Sequence, residues 1–185
     1  MEKAFLVGER LYLRPLDECD LDRCLCWIND GEILTTLGRR TPMSRSMERE
    51  WLLGQYKDDT TFSLAIVLRD GDRHIGNAGL HGIQRVDRSA EFGLLVGDKT
   101  EWGKGYGTQA GRLVIDHGFR QLGLHRIWLR VFAFNERAHR VYEKIGFTHE
   151  GVLRESYYAG GTFHDTVVMS ILASEWKSDE ASVVE

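Results

Sequence analysis

The segment from residue 89 to residue 122 constrains the fold of this chain more than any other. Residues 89–96 are mostly apolar, residues 97–107 contain four glycines, and residues 106–122 repeat apolar side chains at helical spacing. The pattern predicts a strand, a glycine-rich loop and a helix in succession. The first backbone N–H groups of such a helix have no internal partners and carry a positive partial charge, and glycines let a ligand approach them closely. The segment therefore predicts a site for an anion such as a phosphate group.

The spacing of these glycines excludes two common phosphate-binding motifs. No Gly-Lys-Ser or Gly-Lys-Thr ends a P-loop spacing, and the sixth position counted from Gly103 is Thr108 rather than the glycine of a dinucleotide fingerprint. Gly103-x-Gly105-x-Gly107 is by itself a weak motif. On this segment alone, a tight strand-to-helix turn without a ligand remains an alternative.

Alternating and helical spacing of apolar residues predicts the remaining elements. Strands are predicted at 10–14, 61–68, 73–83, 89–96, 126–132, 147–157 and 162–172. Helices are predicted at 18–29, 45–57 and 106–122, with a further helix that begins at Asn135. Asp70-Gly71 and Gly160-Gly161 supply hairpin turns. This order predicts the α/β fold class in its mixed α+β form, with the crossover helices late in the chain.

Length and charge limit what the chain can bind. With 185 residues it is predicted to form a single domain over 1–177, followed by a disordered tail at 178–185. The net charge is −4 and the basic residues are scattered, so no nucleic-acid partner is expected. The N-terminal apolar run is too short for a signal peptide or a membrane anchor, which predicts a cytoplasmic protein without a membrane partner.

The three cysteines, Cys19, Cys24 and Cys26, lie within eight residues of one another. An odd number of cysteines without a secretory signal indicates reduced thiols. No second pair of ligands follows at the spacing that a metal site needs, so no metal is expected. The sequence therefore predicts buried, unreactive thiols.

The glycine-rich loop resembles a known cofactor-binding motif. Trp102 to Gly107 is similar to the pyrophosphate-binding loop of the GNAT superfamily of N-acetyltransferases, which is usually Gln/Arg-x-x-Gly-x-Gly/Ala. The match falls on Trp102, Gly105 and Gly107, with Trp102 in place of the usual Gln or Arg. The two glycines that allow close backbone approach are retained.

A second block, Asn135 to Phe147, resembles the GNAT segment Asn-x-x-Ala-x-x-x-Tyr-x-x-x-Gly-Phe. From the residues themselves, Asn135 is predicted to cap a helix that Gly146 ends, with Ala138 and Tyr142 on one face. A capped amphipathic helix alone would explain this spacing, but not its position downstream of the loop. The two blocks and the C-terminal segment are similar to the branch of ribosomal-protein N-terminal (RimJ/RimL-like) and spermidine acetyltransferases.

The resemblance implies a fold and a cofactor. The fold would be a mostly antiparallel, seven-stranded sheet, flanked by helices and splayed between its fourth strand (89–96) and its fifth (126–132). Acetyl-CoA would be the cosubstrate, with no metal. Main-chain groups of Leu94 and Val96 would bond its pantetheine arm, and Asn135 and Ala138 would contact it. The amides of the loop would hold its pyrophosphate: Trp102, Gly103, Lys104, Gly105, Tyr106, Gly107 and Thr108. The side chain of Lys104 could add positive charge there, and a solvated loop lysine is an equal alternative.

The implied reaction is transfer of the acetyl group to a primary amine by direct attack in a ternary complex. Because an alkylamine has a pKa of about 10, a base has to take a proton from it. Glu91 is the first candidate for this base and His81 a weaker one, while a surface ion pair of Glu91 is an equal alternative. The resemblance implies that Tyr142 is the acid for the leaving thiolate, with a packing or positioning role as the alternative. Arg130 lies where some protein N-acetyltransferases carry a glutamate.

The acceptor is left open by the sequence. A protein N-terminal α-amine, a polyamine, an amino sugar or an aminoglycoside-type antibiotic is compatible with the resemblance, and a homodimer is possible. A CoA-binding sensor without catalysis is the alternative function. A nucleotide hydrolase is disfavoured because no acidic partner for magnesium accompanies the loop.

Overall fold

A computed structural model describes residues 4–178 of the chain, except residues 56 and 58. It contains eight strands: β1 (Leu6–Val7), β2 (Leu11–Pro15), β3 (Phe62–Leu68), β4 (His74–Gln84), β5 (Ser89–Val96), β6 (Arg126–Phe132), β7 (Thr148–Ala159) and β8 (Thr162–Leu172). It contains five α-helices: α1 (Leu21–Ile28), α2 (Gly31–Thr36), α3 (Arg45–Gly54), α4 (Tyr106–Arg120) and α5 (Glu136–Ile145). Short 3-10 turns precede α1 and α4, at Glu18–Asp20 and Lys99–Glu101. Most of the tail predicted at 178–185 lies outside the described residues.

The strands form one sheet in the order β1-β2-β3-β4-β5-β6-β8-β7, in which only β5 and β6 run parallel. The predicted mixed, mostly antiparallel sheet is confirmed, but it has eight strands where seven were predicted. The additional strand, β1, has two residues and pairs Leu6 with Leu13 of β2. A strand of two residues is too short to show the alternation from which strands are predicted.

Two hydrophobic clusters cover the two faces of the sheet, because successive strand residues point to opposite sides. On one face, Leu11, Leu13, Leu64 and Ile66 pack in the same cluster as residues of α4 and α5. On the other, Tyr12, Ala65 and Val67 pack with Cys24, Trp27 and Ile33 of α1 and α2. The sheet is therefore the middle layer between two sets of helices.

Side-chain caps determine where several helices begin. Asn135 Oδ1 accepts a hydrogen bond from Ala138 N at 3.2 Å, and Gly146 ends α5 with φ +118°, so both predicted caps of this helix are confirmed. The helix α3 is capped by Ser44, whose Oγ accepts from Met47 N at 3.3 Å. The six-residue α2, capped by Asp30, was not predicted because it is too short to show helical periodicity.

The cysteines do not all share one environment, so the prediction of three buried thiols is wrong. Cys24 is buried, whereas Cys19 and Cys26 are exposed. Cys24 and Cys26 are two residues apart on α1 and therefore lie on nearly opposite sides of the helix. Burial raises the pKa of the Cys24 thiol to about 11, which disfavours its reactive thiolate form.

Candidate active site

The parallel strands β5 and β6 separate part-way along their length. Their pairing runs from Ser89 with Arg126 to Glu91 with Trp128 and then stops. Beyond this point β5 stays paired with β4 as far as Val96, and β6 stays paired with β8 as far as Phe132. The facing edges of β5 and β6 therefore diverge, which opens a gap in the middle of the sheet at the predicted position.

A cavity of about 850 Å³ occupies this gap and extends to the N-terminal ends of α4 and α5. Of the thirteen residues predicted to act in catalysis or cofactor binding, twelve line it: Glu91, Leu94, Val96, Trp102, Gly103, Gly105, Tyr106, Gly107, Thr108, Asn135, Ala138 and Tyr142. Lys104 is not on its wall. Its ammonium group instead lies 3.0 Å from Oε2 of Glu101.

The glycine-rich loop presents backbone N–H groups to this cavity. Gly103 and Gly105 have φ values of +76° and +87°, a left-handed conformation that strains other residues. Gly105 begins α4 without a side-chain cap. The first N–H groups of the helix, on Tyr106, Gly107 and Thr108, therefore have no capping side chain to accept their hydrogen bonds. The arrangement can bind an anion through the backbone and the helix dipole.

Trp102 has side-chain contacts that the sequence did not predict. Its indole Nε1 donates to the carbonyl oxygen of Val96 at 2.6 Å, so that one of the main-chain groups predicted to bond the cofactor arm is already engaged. The guanidinium carbon of Arg137 lies 3.3 Å from the centre of the indole ring. Arg137 also lines the cavity and was not among the predicted site residues.

Tyr142 lies on the inner wall of the cavity. It is 8% exposed and makes edge-on contacts with the rings of Phe92 and Phe147. Burial raises the pKa of its hydroxyl to about 12. The phenol is therefore protonated at neutral pH and able to donate a hydrogen bond.

Glu91 and His81 lie opposite each other on paired strands, β5 and β4. Both Glu91 oxygens accept hydrogen bonds from Arg130, at 3.0 and 3.3 Å. This is the ion pair that the sequence left as an alternative. Burial lowers the pKa of His81, so its imidazole is neutral at pH 7. Gly93 provides room for this ring, since a Cβ there would lie 2.9 Å from His81 Nε2.

A second cavity of about 330 Å³ lies under α1 and α3 and shares residues Leu37, His81, Gly93, Leu94 and Leu95 with the first. Glu48 of α3 lines it and is 4% exposed. Within the described residues, its carboxylate has no hydrogen-bond or ion-pair partner. Burial raises the pKa of Glu48, and the positive charge of Arg39 offsets part of this rise. Glu48 lies one helical turn before Leu52, on the buried face of α3. A charged residue at an apolar position of this kind is the sequence feature that could have identified Glu48 as a site residue.

Comparison with known proteins identifies the family of this site. The sequence profile of the acetyltransferase (GNAT) domain matches residues 10–148. The chain belongs to the GNAT acetyltransferase family. The predicted family, its fold and its N-acetyltransferase activity are thereby confirmed.

Several GNAT proteins are similar over nearly the whole chain. The putative ribosomal N-acetyltransferase YdaF of Bacillus subtilis is 31% identical over 182 residues, which is 94% of this chain and 97% of that protein. The spermidine N(1)-acetyltransferase of Escherichia coli is 29% identical and covers 90% of this chain and 88% of its own length. The crystal structure of spermidine N-acetyltransferase from Vibrio cholerae in complex with CoA and spermine superposes with a TM-score of 0.85 at 28% identity, over 91% of this chain and 98% of that chain.

Two further properties bear on the ligands of this GNAT site. Across residues 4–178, apart from 56 and 58, no group of three or more His, Cys, Asp or Glu side chains is placed to hold a metal ion. In the same part of the chain, no helix is long and apolar enough to cross a membrane.

Proposed function

We propose that this GNAT protein transfers the acetyl group of acetyl-CoA to a primary amine by direct attack in a ternary complex. The observation that carries this proposal is the continuity of the larger cavity. It joins the N–H groups of the glycine-rich loop, the gap between β5 and β6, and the hydroxyl of Tyr142. Such a cavity can hold a phosphate group, an extended arm and a reacting carbonyl in one line.

The donor would be held mainly by backbone groups. The edge of β5 from Leu94 to Val96 is free of β6 and would bond the pantetheine arm, with the Val96 carbonyl already engaged by Trp102. The amides of the glycine-rich loop would accept the pyrophosphate. Asn135 uses Oδ1 for the helix cap, so its side-chain nitrogen is the group left for the arm, next to Ala138.

The acceptor amine has to lose a proton before or during its attack. Glu91 lines the first cavity and His81 lines both, so either side chain could take it, directly or through water. Both carboxylate oxygens of Glu91 are already engaged by hydrogen bonds from Arg130. His81 is neutral, lines both cavities and has no hydrogen-bond partner within the described residues. The geometry favours His81 as the base.

Attack on the thioester creates an oxyanion and then expels a thiolate. A backbone N–H on the free edge of β5 would stabilise the oxyanion, because a fixed dipole there needs no reorganisation during the reaction. The protonated hydroxyl of Tyr142 would donate to the departing sulfur. The rings of Phe92 and Phe147 beside it make this part of the wall apolar.

The second cavity would receive the acceptor, since it meets the first at Leu94 and His81. A buried carboxylate without a partner is costly, and an ammonium group of a ligand would relieve that cost at Glu48. Apolar side chains of Ile28 and Trp51 on the same wall suit an alkyl chain. These features favour an acceptor with a second amine, such as the spermidine that relatives of this protein acetylate.

CoA release from acetyl-CoA, measured against a panel of amines, tests this proposal. The panel contains spermidine, a monoamine of similar length, peptides with free N-termini, an aminoglycoside and an amino sugar. We expect turnover of spermidine, and a KM for spermidine that rises about tenfold in Glu48→Gln while that of the monoamine stays constant. The matched control is Glu50→Gln, since Glu50 is exposed on the same helix.

Two results would contradict parts of the proposal separately. Turnover of peptides or amino sugars but not of spermidine would refute the diamine acceptor and leave acetyl transfer intact. A folded protein that neither binds acetyl-CoA nor releases CoA with any amine would refute the reaction itself. Tight binding of acetyl-CoA without turnover of any amine would support the sensor alternative.

A further inference from the structure

Trp102 opens the glycine-rich loop but has no hydrogen-bond donor left for a ligand. Its indole nitrogen is the only donor of its side chain, and it is engaged with the Val96 carbonyl at 2.6 Å. A pyrophosphate carries at least two negative charges, and the loop meets them with neutral backbone N–H groups and the helix dipole. A positive side chain beside the loop would strengthen this binding.

Most cations in and beside the loop are already engaged. Arg10 donates a hydrogen bond to the Lys104 carbonyl oxygen at 2.9 Å and lies over the Tyr106 ring, and the others are paired with carboxylates. Lys99 lies 2.7 Å from Asp30 and 3.0 Å from Glu32, Lys104 lies 3.0 Å from Glu101, and Arg73 bonds both Asp98 and Glu101. Two further arginines on the cavity wall are paired as well, Arg130 with Glu91 and Arg140 with Glu136. A phosphate would have to compete with a carboxylate for each of these five cations.

Two cations on the cavity wall remain, Lys144 and Arg137. Lys144 is exposed to solvent in the last turn of α5, whereas Arg137 is partly buried beside the loop. It lies in the first turn of α5, lines the cavity, and has no hydrogen-bond or ion-pair partner within the described residues. Its guanidinium carbon is 3.3 Å from the centre of the Trp102 ring, which lies in the loop across the cavity. Stacking uses the face of the guanidinium and leaves its in-plane N–H groups free. Burial lowers the pKa of Arg137 and the negative charge of Glu32 offsets part of this, yet an arginine stays protonated. Glu32 itself is paired with Lys99, so the partly desolvated guanidinium has no carboxylate in contact among the described residues.

We infer that Arg137, held on the indole of Trp102, binds the pyrophosphate of acetyl-CoA and supplies the positive charge that the loop lacks. The inference rests on the proposed use of acetyl-CoA as donor. The planar guanidinium can bond two phosphate oxygens at once, and the stack fixes its plane before the ligand arrives. Trp102 thus acts as a positioning residue for Arg137.

Calorimetric binding of three ligands tests this assignment: CoA, 3′-dephospho-CoA, which keeps the pyrophosphate, and pantetheine, which has no phosphate. We expect Arg137→Ala to weaken binding of both nucleotides at least about tenfold and to leave pantetheine within about twofold. Arg137→Lys, which keeps a charge without the planar fork, and Trp102→Leu, which removes the platform, should each give part of this loss. Arg120→Ala, an exposed change in the last turn of α4, is the control and should bind all three ligands as the wild type does.

The possible contrary results differ from one another. An equal loss of affinity for pantetheine and for CoA would mean that Arg137 supports the structure of the site rather than contacting a phosphate. An unchanged affinity for every ligand would mean that Arg137 does not bind the donor. A loss for CoA but not for 3′-dephospho-CoA would transfer the contact to the 3′-phosphate and overturn the pyrophosphate assignment. Wild-type protein that fails to bind CoA would refute the proposed donor rather than the role of Arg137.

Discussion

Replacement of Tyr142 by phenylalanine tests the proposed acid most directly. The pKa of this hydroxyl is about 12, compared with the ordinary 10.0, because it is buried among aromatic rings. This rise corresponds to a free-energy cost on the order of 3 kcal/mol for forming the phenolate. Tyr142 is therefore a hydroxyl that keeps its proton throughout the pH range in which the enzyme can be assayed.

The same pKa limits what Tyr142 can contribute. A thiol with an ordinary pKa of about 8.5 is the stronger acid by roughly 3.5 units, so complete proton transfer to the thiolate would cost about 5 kcal/mol. A hydrogen bond to the developing thiolate is the step that the geometry can supply. Hydrogen bonds to charged groups contribute about 1.5–3 kcal/mol, so Tyr142→Phe should lower kcat by about 10- to 100-fold.

The assay is steady-state CoA release between pH 6 and 9, with acetyl-CoA binding and thermal stability measured in parallel. Within the described residues the Tyr142 hydroxyl has no hydrogen-bond partner, so its removal leaves no buried group unpaired and the melting temperature should not fall. The affinity for acetyl-CoA should also stay constant, because the contact forms in the transition state. Tyr158→Phe, at an exposed position of β7, is the control.

An unchanged kcat in Tyr142→Phe, with the fold intact, would refute the assigned role. A loss confined to KM would also refute it, since that would indicate a role in binding the substrates rather than in expelling the thiolate. A limb in the pH profile of kcat below pH 9 that disappears in Tyr142→Phe would contradict the raised pKa.

Two further predictions concern pH. Asp20 is 3% exposed, and its two carboxylate oxygens accept hydrogen bonds of 2.7 Å from Arg14. Burial alone would raise the pKa of Asp20, but these hydrogen bonds and the nearby His74 hold its pKa well below the ordinary value. Because the carboxyl of Asp20 binds a proton more readily in the unfolded state, the stability that its ion pair contributes is present above about pH 4 and is lost on acidification. Asp20→Asn should lower the free energy of unfolding in urea by about 3–5 kcal/mol at pH 7. If this difference persisted unchanged at pH 2, it would count against the ion pair. If His81 is the base, kcat/KM should fall as the pH drops through the lowered pKa of His81, which lies below 6.5. This fall should be absent in His81→Gln and present in Glu91→Gln. The reverse pattern would assign the base to Glu91.

Local rules of the sequence predicted a large part of the fold. The strands β3 to β6, the helix α4 and both caps of α5 depend on alternation, helical spacing, Asn135 and Gly146, all of which act between residues close in the chain. The glycine-rich loop belongs to the same class, because positive φ at Gly103 and Gly105 is a property of single residues. Order along the chain and local hydrogen bonding were sufficient for these elements.

Tertiary structure alone decided the rest. The exposure of Cys19 and Cys26 and the burial of Cys24 follow from how α1 and the turn before it pack on the sheet. The chemistry of the site depends on the same kind of contact. Arg130 reaches Glu91 from a neighbouring strand, and Arg137 reaches the Trp102 ring across the cavity.

The physical reason is the range of the interactions involved. The sequence by itself determined the glycine-rich loop, the capped helix and the aromatic hydroxyl of Tyr142, since each needs particular residues at fixed short spacings. Which charges are neutralised and which remain available to a ligand depends on side chains brought together from distant parts of the chain. The side-chain environments of Glu91, Glu48 and Arg137 are determined by the packing of helices on the splayed sheet.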